Sequence, residues 1–219
     1  MKSELFSIGV REKIETAVVQ LLNNNQLMNY NTVNSPRAVG DAVQSFLEDH
    51  ISKCLPCDLV TKINTSFARR SMADLAFEDI SENYYVVDIK THNLDTNFNM
   101  PNLTSVERLA RFYGEDRNYF VLLLVSYKIQ GEQLHFENCL FSPIEFLDWS
   151  CLTLGALGWG QIQIANSNIV NIEPKNTRKK WMLQLCDALE LFYPNEISKI
   201  TRRIDYFRNI RDYWESQPD

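Results

Sequence analysis

From Tyr119 to Tyr127 the chain reads Tyr-Phe-Val-Leu-Leu-Leu-Val-Ser-Tyr, and the turn Gln130-Gly131 follows shortly after. Such a run has no polar face to offer water, so it is a buried strand, and its neighbours must cover it. Leu134 to Phe141 follows as a partner strand, with Gln161 to Ile164 as a further short one. Upstream, Leu75-Ala76-Phe77 and Tyr84-Tyr85-Val86-Val87-Asp88-Ile89-Lys90 are rich in aromatic and β-branched residues. The polar stretch Glu78 to Asn83 between them predicts a hairpin with a longer loop.

On both sides of these strands the apolar period becomes helical. Leu5, Val10, Ile14, Val18, Leu21 and Leu22 fall at three- and four-residue spacings between Glu4 and the polar Asn23-Asn24-Asn25. Ser35-Pro36 is a helix start, serine as cap and proline in the first turn, and Val39, Val43, Phe46, Leu47 and Ile51 give that helix an apolar face. Thr104-Ser-Val-Glu107 supplies a capping box for a helix that Gly114 can end. Asn176 to Phe192 and Ile197 to Tyr213 predict two closing helices. The expectation is an α/β fold, a mixed central β-sheet flanked by helices. No repeat or boundary interrupts it, so residues 1–219 are read as one domain: N-terminal helices about 4–52, a sheet region about 70–165 and C-terminal helices about 176–214.

With 45% apolar and 23% charged residues, and only seven glycines and seven prolines in 219 residues, the composition excludes linker-rich and low-complexity chains. No apolar run approaches the roughly twenty residues of a membrane helix, and the N-terminus lacks a secretory signal, so the expected location is the cytoplasm, with no membrane partner. Five irregularly spaced cysteines (54, 57, 139, 151, 186) suit free thiols. Cys54-Leu-Pro-Cys57 lacks a second pair at zinc-ligand spacing, and His50, His92 and His135 are scattered. The net charge of −6 argues against a nucleic-acid partner until its distribution is read. From Lys175 onward nine basic residues face seven acidic ones, so the acidity resides in the preceding part of the chain.

The chemistry lies in the hairpin. Strand alternation sends Asp88 and Lys90 to one face and Ile89 into the core, and the hairpin can return Asp88 to within a few ångströms of Asp74. Two such carboxylates repel unless a positive charge joins them. A hard cation such as Mg²⁺ suits them, because it takes oxygen ligands from one or two carboxylates, water and phosphate. Lys90 is placed to orient the attacking water and to stabilise charge on a phosphate oxygen. His92, two residues further on, falls on the same face; a surface histidine is the simpler expectation.

Asp74, thirteen intervening residues and Asp88-Ile89-Lys90 resemble the PD-(D/E)xK nuclease motif, with Met72-Ala73 standing where the motif's name has a proline. The likeness extends through Thr91-His-Asn93, Met100-Pro101-Asn102-Leu-Thr-Ser105 and Leu109-Ala110. It continues through Gln161-Ile162-Gln163 and Asn176-Thr177-Arg178-Lys-Lys-Trp181. In that order these segments are similar to type II restriction endonucleases of the PD-(D/E)xK superfamily. Arg37-Ala-Val-Gly40-Asp41 to Phe46-Leu47-Glu48-Asp49 is similar to an N-terminal helix of such enzymes.

The resemblance implies a restriction-endonuclease-like core. It implies Asp74, Asp88 and Lys90 as catalytic residues, with metal positions at Asp74, Asp88 and Ile89. Some related nucleases add an acid from the N-terminal helix; Asp41 is favoured for it here over Glu48. Thr91, Asn93, Asn97, Asn99, Asn102, Gln161, Gln163, Arg178 and Lys179 are implied to contact DNA, Asn99 and Asn102 foremost, since an amide both donates and accepts along a base edge. Arg69, Arg70, Arg108, Arg111 and Lys180 are further candidates for phosphate contact. The implied protein is a Mg²⁺-dependent type II site-specific deoxyribonuclease with no organic cofactor. It would bind a short symmetric site in double-stranded DNA as a homodimer and leave 5′-phosphate and 3′-hydroxyl ends. A cognate DNA methyltransferase would be its functional partner. The alternatives are a structure-specific repair or recombination nuclease of the same fold, or a non-catalytic helical interaction protein.

Overall fold

The computed structural model describes residues 3–27, 35–64, 74–96, 102–131, 133–165 and 169–218. A short 3-10 turn at Glu4–Phe6 leads into α1 (Ile8–Asn23) and α2 (Pro36–His50), followed by β1 (Val60–Asn64), β2 (Leu75–Asp79), β3 (Tyr84–Asn93) and β4 (Asn102–Ser105). Then come α3 (Val106–Phe112), β5 (Asn118–Gln130), β6 (Gln133–Pro143), β7 (Leu152–Gly155), β8 (Gln161–Ile164) and α4 (Arg178–Glu215). Five strands form a central sheet in the order β1-β2-β3-β5-β6, and three form a smaller one in the order β4-β8-β7. The central sheet is mixed: β3 and β5 run parallel while its other neighbours are antiparallel. Parallel neighbours need a crossover, and β4 with α3 provide it. By contact density the chain forms two compact units, Met1–Lys175 and Asn176–Asp219.

The expected buried strand is β5, in which every residue from Tyr119 to Tyr127 is buried. One face of the sheet presents Tyr85, Val87 and Ile89 of β3 and Val121, Leu123 and Val125 of β5 to Ile14, Val18 and Leu22 of α1 and Val39, Val43 and Leu47 of α2. At about 1.5–3 kcal/mol for each fully buried side chain of this size, that contact is the main cohesive force of the first unit. α1 also seals the edge strand β6, whose main chain would otherwise be open to pairing. Asn23 donates through Nδ2 to the Phe136 carbonyl at 2.8 Å and accepts the Phe136 N–H through Oδ1 at 2.9 Å, and Glu15 accepts the Phe141 N–H at 2.9 Å.

α2 starts as the sequence indicates: Ser35 accepts the Ala38 N–H, and Pro36 occupies the first turn. Two helical expectations need correction. Ser105, not Thr104, precedes α3, and its side chain makes no capping bond. Thr104 belongs to β4, where it pairs with Ile162, so the tertiary strand pairing takes the residue that the local motif assigned to a cap. The two closing helices are one, because α4 runs unbroken through Pro194. Proline removes one helical N–H and crowds the carbonyl four residues back. In the same turn the Leu191 carbonyl accepts from the Asn195 side-chain amide at 3.0 Å. Among the described residues no helix is long and apolar enough to cross a membrane.

Candidate active site

β2 and β3 pair antiparallel with Leu75 opposite Val87, and the ladder continues one step as Asp74 donates its N–H to the Val87 carbonyl at 3.0 Å. Asp74 is therefore level with Asp88. The Asp74 carboxylate folds over the start of β2, and its Oδ2 accepts the Ile89 N–H at 2.6 Å. The N–H and C=O of a strand residue point to the same side, so the Ile89 carbonyl is directed toward Asp74 as well. The Ile89 side chain lies in the core, as alternation requires.

Asp88 is 6% exposed. Its Oδ1 accepts from Lys90 Nζ at 2.7 Å, so the two side chains share a face as expected. Its Oδ2 is buried, and no hydrogen-bond partner reaches it among the described residues. A buried acceptor without a donor costs on the order of 1–3 kcal/mol. The consequence is visible in the acid strength. Burial pushes the Asp88 carboxyl up to about 7 even though the Lys90 ammonium pulls it down, and Asp74 adds to the rise. Asp74 is raised too, first by burial; the Ile89 N–H and Lys90 oppose this, and the Glu48 carboxylate reinforces it.

The Glu48 charge that acts on Asp74 comes from α2. Glu48 is half-buried and accepts from Gln44 Nε2 at 2.9 Å. Asp41, favoured from the sequence, is exposed on the same helix. Gly40 lies over β3 with Thr91 Oγ1 3.4 Å from where a side chain would begin, so Thr91 faces α2, away from Asp88 and Lys90. His92 is buried, not at the surface, and burial lowers its pKa, which favours the neutral ring. Chain alternation had put it on the Asp88 face; the cover over that face could not be read locally.

The residues fit a hard cation. Both carboxylates offer oxygen, the buried oxygen that lacks a hydrogen-bond partner among the described residues is Asp88 Oδ2, and Mg²⁺ commonly takes only one or two protein carboxylates, the remainder being water and phosphate. Among the described residues no three Asp, Glu, His or Cys side chains cluster closely enough to hold a metal by themselves.

The expected DNA-contacting residues divide. Asn97 and Asn99 lie outside the described residues, as do Arg69 and Arg70. Asn93 Oδ1 accepts the Asp95 N–H at 3.0 Å, closing a turn after β3. Asn102 and Gln163, far apart in sequence, pair across the small sheet, and Gln163 Nε2 donates to Asn102 Oδ1. Strand pairing places Ser105 beside Gln161, and Thr153 beside Gln163, so these five side chains form one uncharged polar face. Gly155 makes room for it, since a β-carbon there would stand 2.7 Å from the Gln163 amide. Ser105, Thr153 and Gly155 were not singled out from the sequence; alternation along β7 would have found Thr153 once its pairing with β8 was known. Arg178 and Lys179 open α4 in the second unit, Lys179 exposed and Arg178 half-buried. Arg108 is exposed, and Arg111 is engaged with Glu107.

No protein-family model and no curated protein matches this chain.

Proposed function

We propose that the protein is a Mg²⁺-dependent type II restriction endonuclease with a PD-(D/E)xK core, hydrolysing phosphodiester bonds in double-stranded DNA to 5′-phosphate and 3′-hydroxyl ends. The observation that carries this reading is the buried, unpartnered Oδ2 of Asp88 beside Asp74, with Lys90 on the other oxygen of the same carboxylate. A structural ion pair would need Asp88 and Lys90 alone; it gives no reason to bury a second carboxylate against them. Asp74, Asp88 and the Ile89 carbonyl would hold Mg²⁺, which supplies neutralisation of phosphate charge and an acidified water.

The chain's own groups do the remaining work. The Ile89 N–H fixes Asp74 by one oxygen and leaves the other for the site. Lys90 Nζ, held by Asp88, has donors left to orient the attacking water and to meet a non-bridging phosphate oxygen as charge grows there. The uncharged face of Asn102, Ser105, Thr153, Gln161 and Gln163 suits base edges, whereas Arg178 and Lys179 suit phosphates. A symmetric site implies a homodimer, and a cognate methyltransferase would protect host DNA.

Digestion of a plasmid of known sequence with Mg²⁺ tests the reading. Discrete fragments with 5′-phosphates are expected. Smears or nicks at distorted DNA would indicate a structure-specific nuclease, and absence of cutting would overturn the enzyme assignment.

A further inference from the structure

α4 is 38 residues long, and past Leu191 it is exposed at nearly every position. An exposed helix should be polar all round, yet Tyr193, Ile197, Ile200, Ile204, Phe207, Arg211 and Trp214 recur at alternating spacings of four and three. That is the spacing that keeps one stripe facing a second helix. The six apolar members are each between 39 and 66% exposed. Taking about 200 Å² for each such side chain, they show water roughly 650 Å². That exceeds the ~300–600 Å² of the largest patch on an ordinary monomer and, with the arginine stems beside it, approaches the ~800 Å² each partner contributes to a standard interface.

We propose that this seam joins two copies of the chain as an antiparallel helix pair. Charge decides the direction. Arg203, Arg208 and Arg211 rim a groove with Ile200, Ile204 and Phe207. A parallel pair would set Arg211 against its own copy at the seam and Arg203 close to Arg208 across it. Antiparallel packing with Ile204 on Phe207 of the partner subunit removes both clashes. It sets Ile197 against Trp214 of the partner subunit and Ile200 against the aliphatic stem of Arg211 of the partner subunit. The Arg211 guanidinium is already held at 2.8 Å by Glu215, and Glu196–Lys199 and Asp205–Arg208 pair along the same helix. The flanks thus approach a second helix largely neutralised. The pair gives the homodimer of the nuclease reading a surface, but it needs neither DNA nor metal, so its failure is distinguishable from that of the Asp74, Asp88 and Lys90 site.

Sedimentation velocity of the full chain without DNA or metal, from about 1 to 100 µM, should give twice the 25.5 kDa chain mass. Ile204→Glu and Phe207→Glu should weaken association at least a hundredfold with unchanged circular dichroism, because neither side chain supports the fold of its own chain. Asn209→Glu, on the opposite side of the helix, should leave the dimer intact. Direction is read in a Cys57→Ser, Cys186→Ser background: Ile197→Cys with Trp214→Cys should form an intermolecular disulfide, and Ile197→Cys alone should not. A wild type that stays at 25.5 kDa throughout overturns the proposal, as does a dimer indifferent to both glutamates or lost with Asn209→Glu. A disulfide from Ile197→Cys alone overturns the antiparallel arrangement.

Discussion

Asp74 accepts the main-chain N–H of Ile89 at 2.6 Å, which ties the first carboxylate of the candidate site to the residue between Asp88 and Lys90. Asp74→Asn keeps an acceptor for that N–H and loses the charge. Asp74→Ala loses both. Cutting should vanish in each, while thermal unfolding should show Asp74→Asn close to wild type and Asp74→Ala lower by about 1 kcal/mol. Substantial cutting by Asp74→Asn would remove Asp74 from the metal site.

Asp88→Ala should lower cleavage by roughly a thousandfold or more while leaving DNA binding measurable. Ca²⁺ should support binding by the wild type without efficient cleavage, being larger and less rigidly coordinated than Mg²⁺. A variant that cuts within about tenfold of wild type means that the chemistry lies elsewhere.

The raised pKa of Asp88 makes a pH prediction for the metal-free protein. Its folded value is about 7, whereas an unfolded Asp titrates near ~3.9. Between the two the folded state binds the extra proton, so stability from this group is intact below the unfolded value and is lost as pH rises through the folded one. Asp88→Asn does not titrate. In EDTA the wild-type melting temperature, relative to Asp88→Asn, should therefore fall between about pH 5 and pH 8; a constant difference would show that burial does not hold the proton.

The Glu48 carboxylate on α2 adds to the raised pKa of Asp74. Glu48→Gln should raise the Mg²⁺ concentration for half-maximal cutting by roughly tenfold, because it takes negative charge away from the cation's surroundings. Asp41→Asn should change it little. The reverse order in a Mg²⁺ titration would restore Asp41.

Base reading and phosphate grip should separate in fluorescence anisotropy with Ca²⁺. Asn102→Ala should cost about 1–3 kcal/mol on cognate DNA alone, with little change in salt dependence. Gly155→Ala, which displaces the Gln163 amide paired with Asn102, should do likewise. Lys179→Ala should weaken cognate and random DNA alike and reduce the salt slope by about one unit. Equal losses on both duplexes for Asn102→Ala would exclude the small sheet from recognition.

Whatever depends on near neighbours was legible in the sequence. Period-two alternation placed Asp88 and Lys90 on one face, the unbroken apolar run marked β5 as a buried strand, and Ser35-Pro36 marked the start of α2. These follow from backbone geometry over a few residues. Local rules failed at two places, one of them through a longer-range partner. Thr104 joined a strand because Ile162 was there to pair with it, and α4 carried Pro194 without a break. The bond from Ile89 to Asp74, the approach of Glu48, the burial of His92 and the pairing of Asn102 with Gln163 were decided by the tertiary structure alone. Each depends on how segments distant along the chain pack and pair, and short-range periodicity carries no record of that packing.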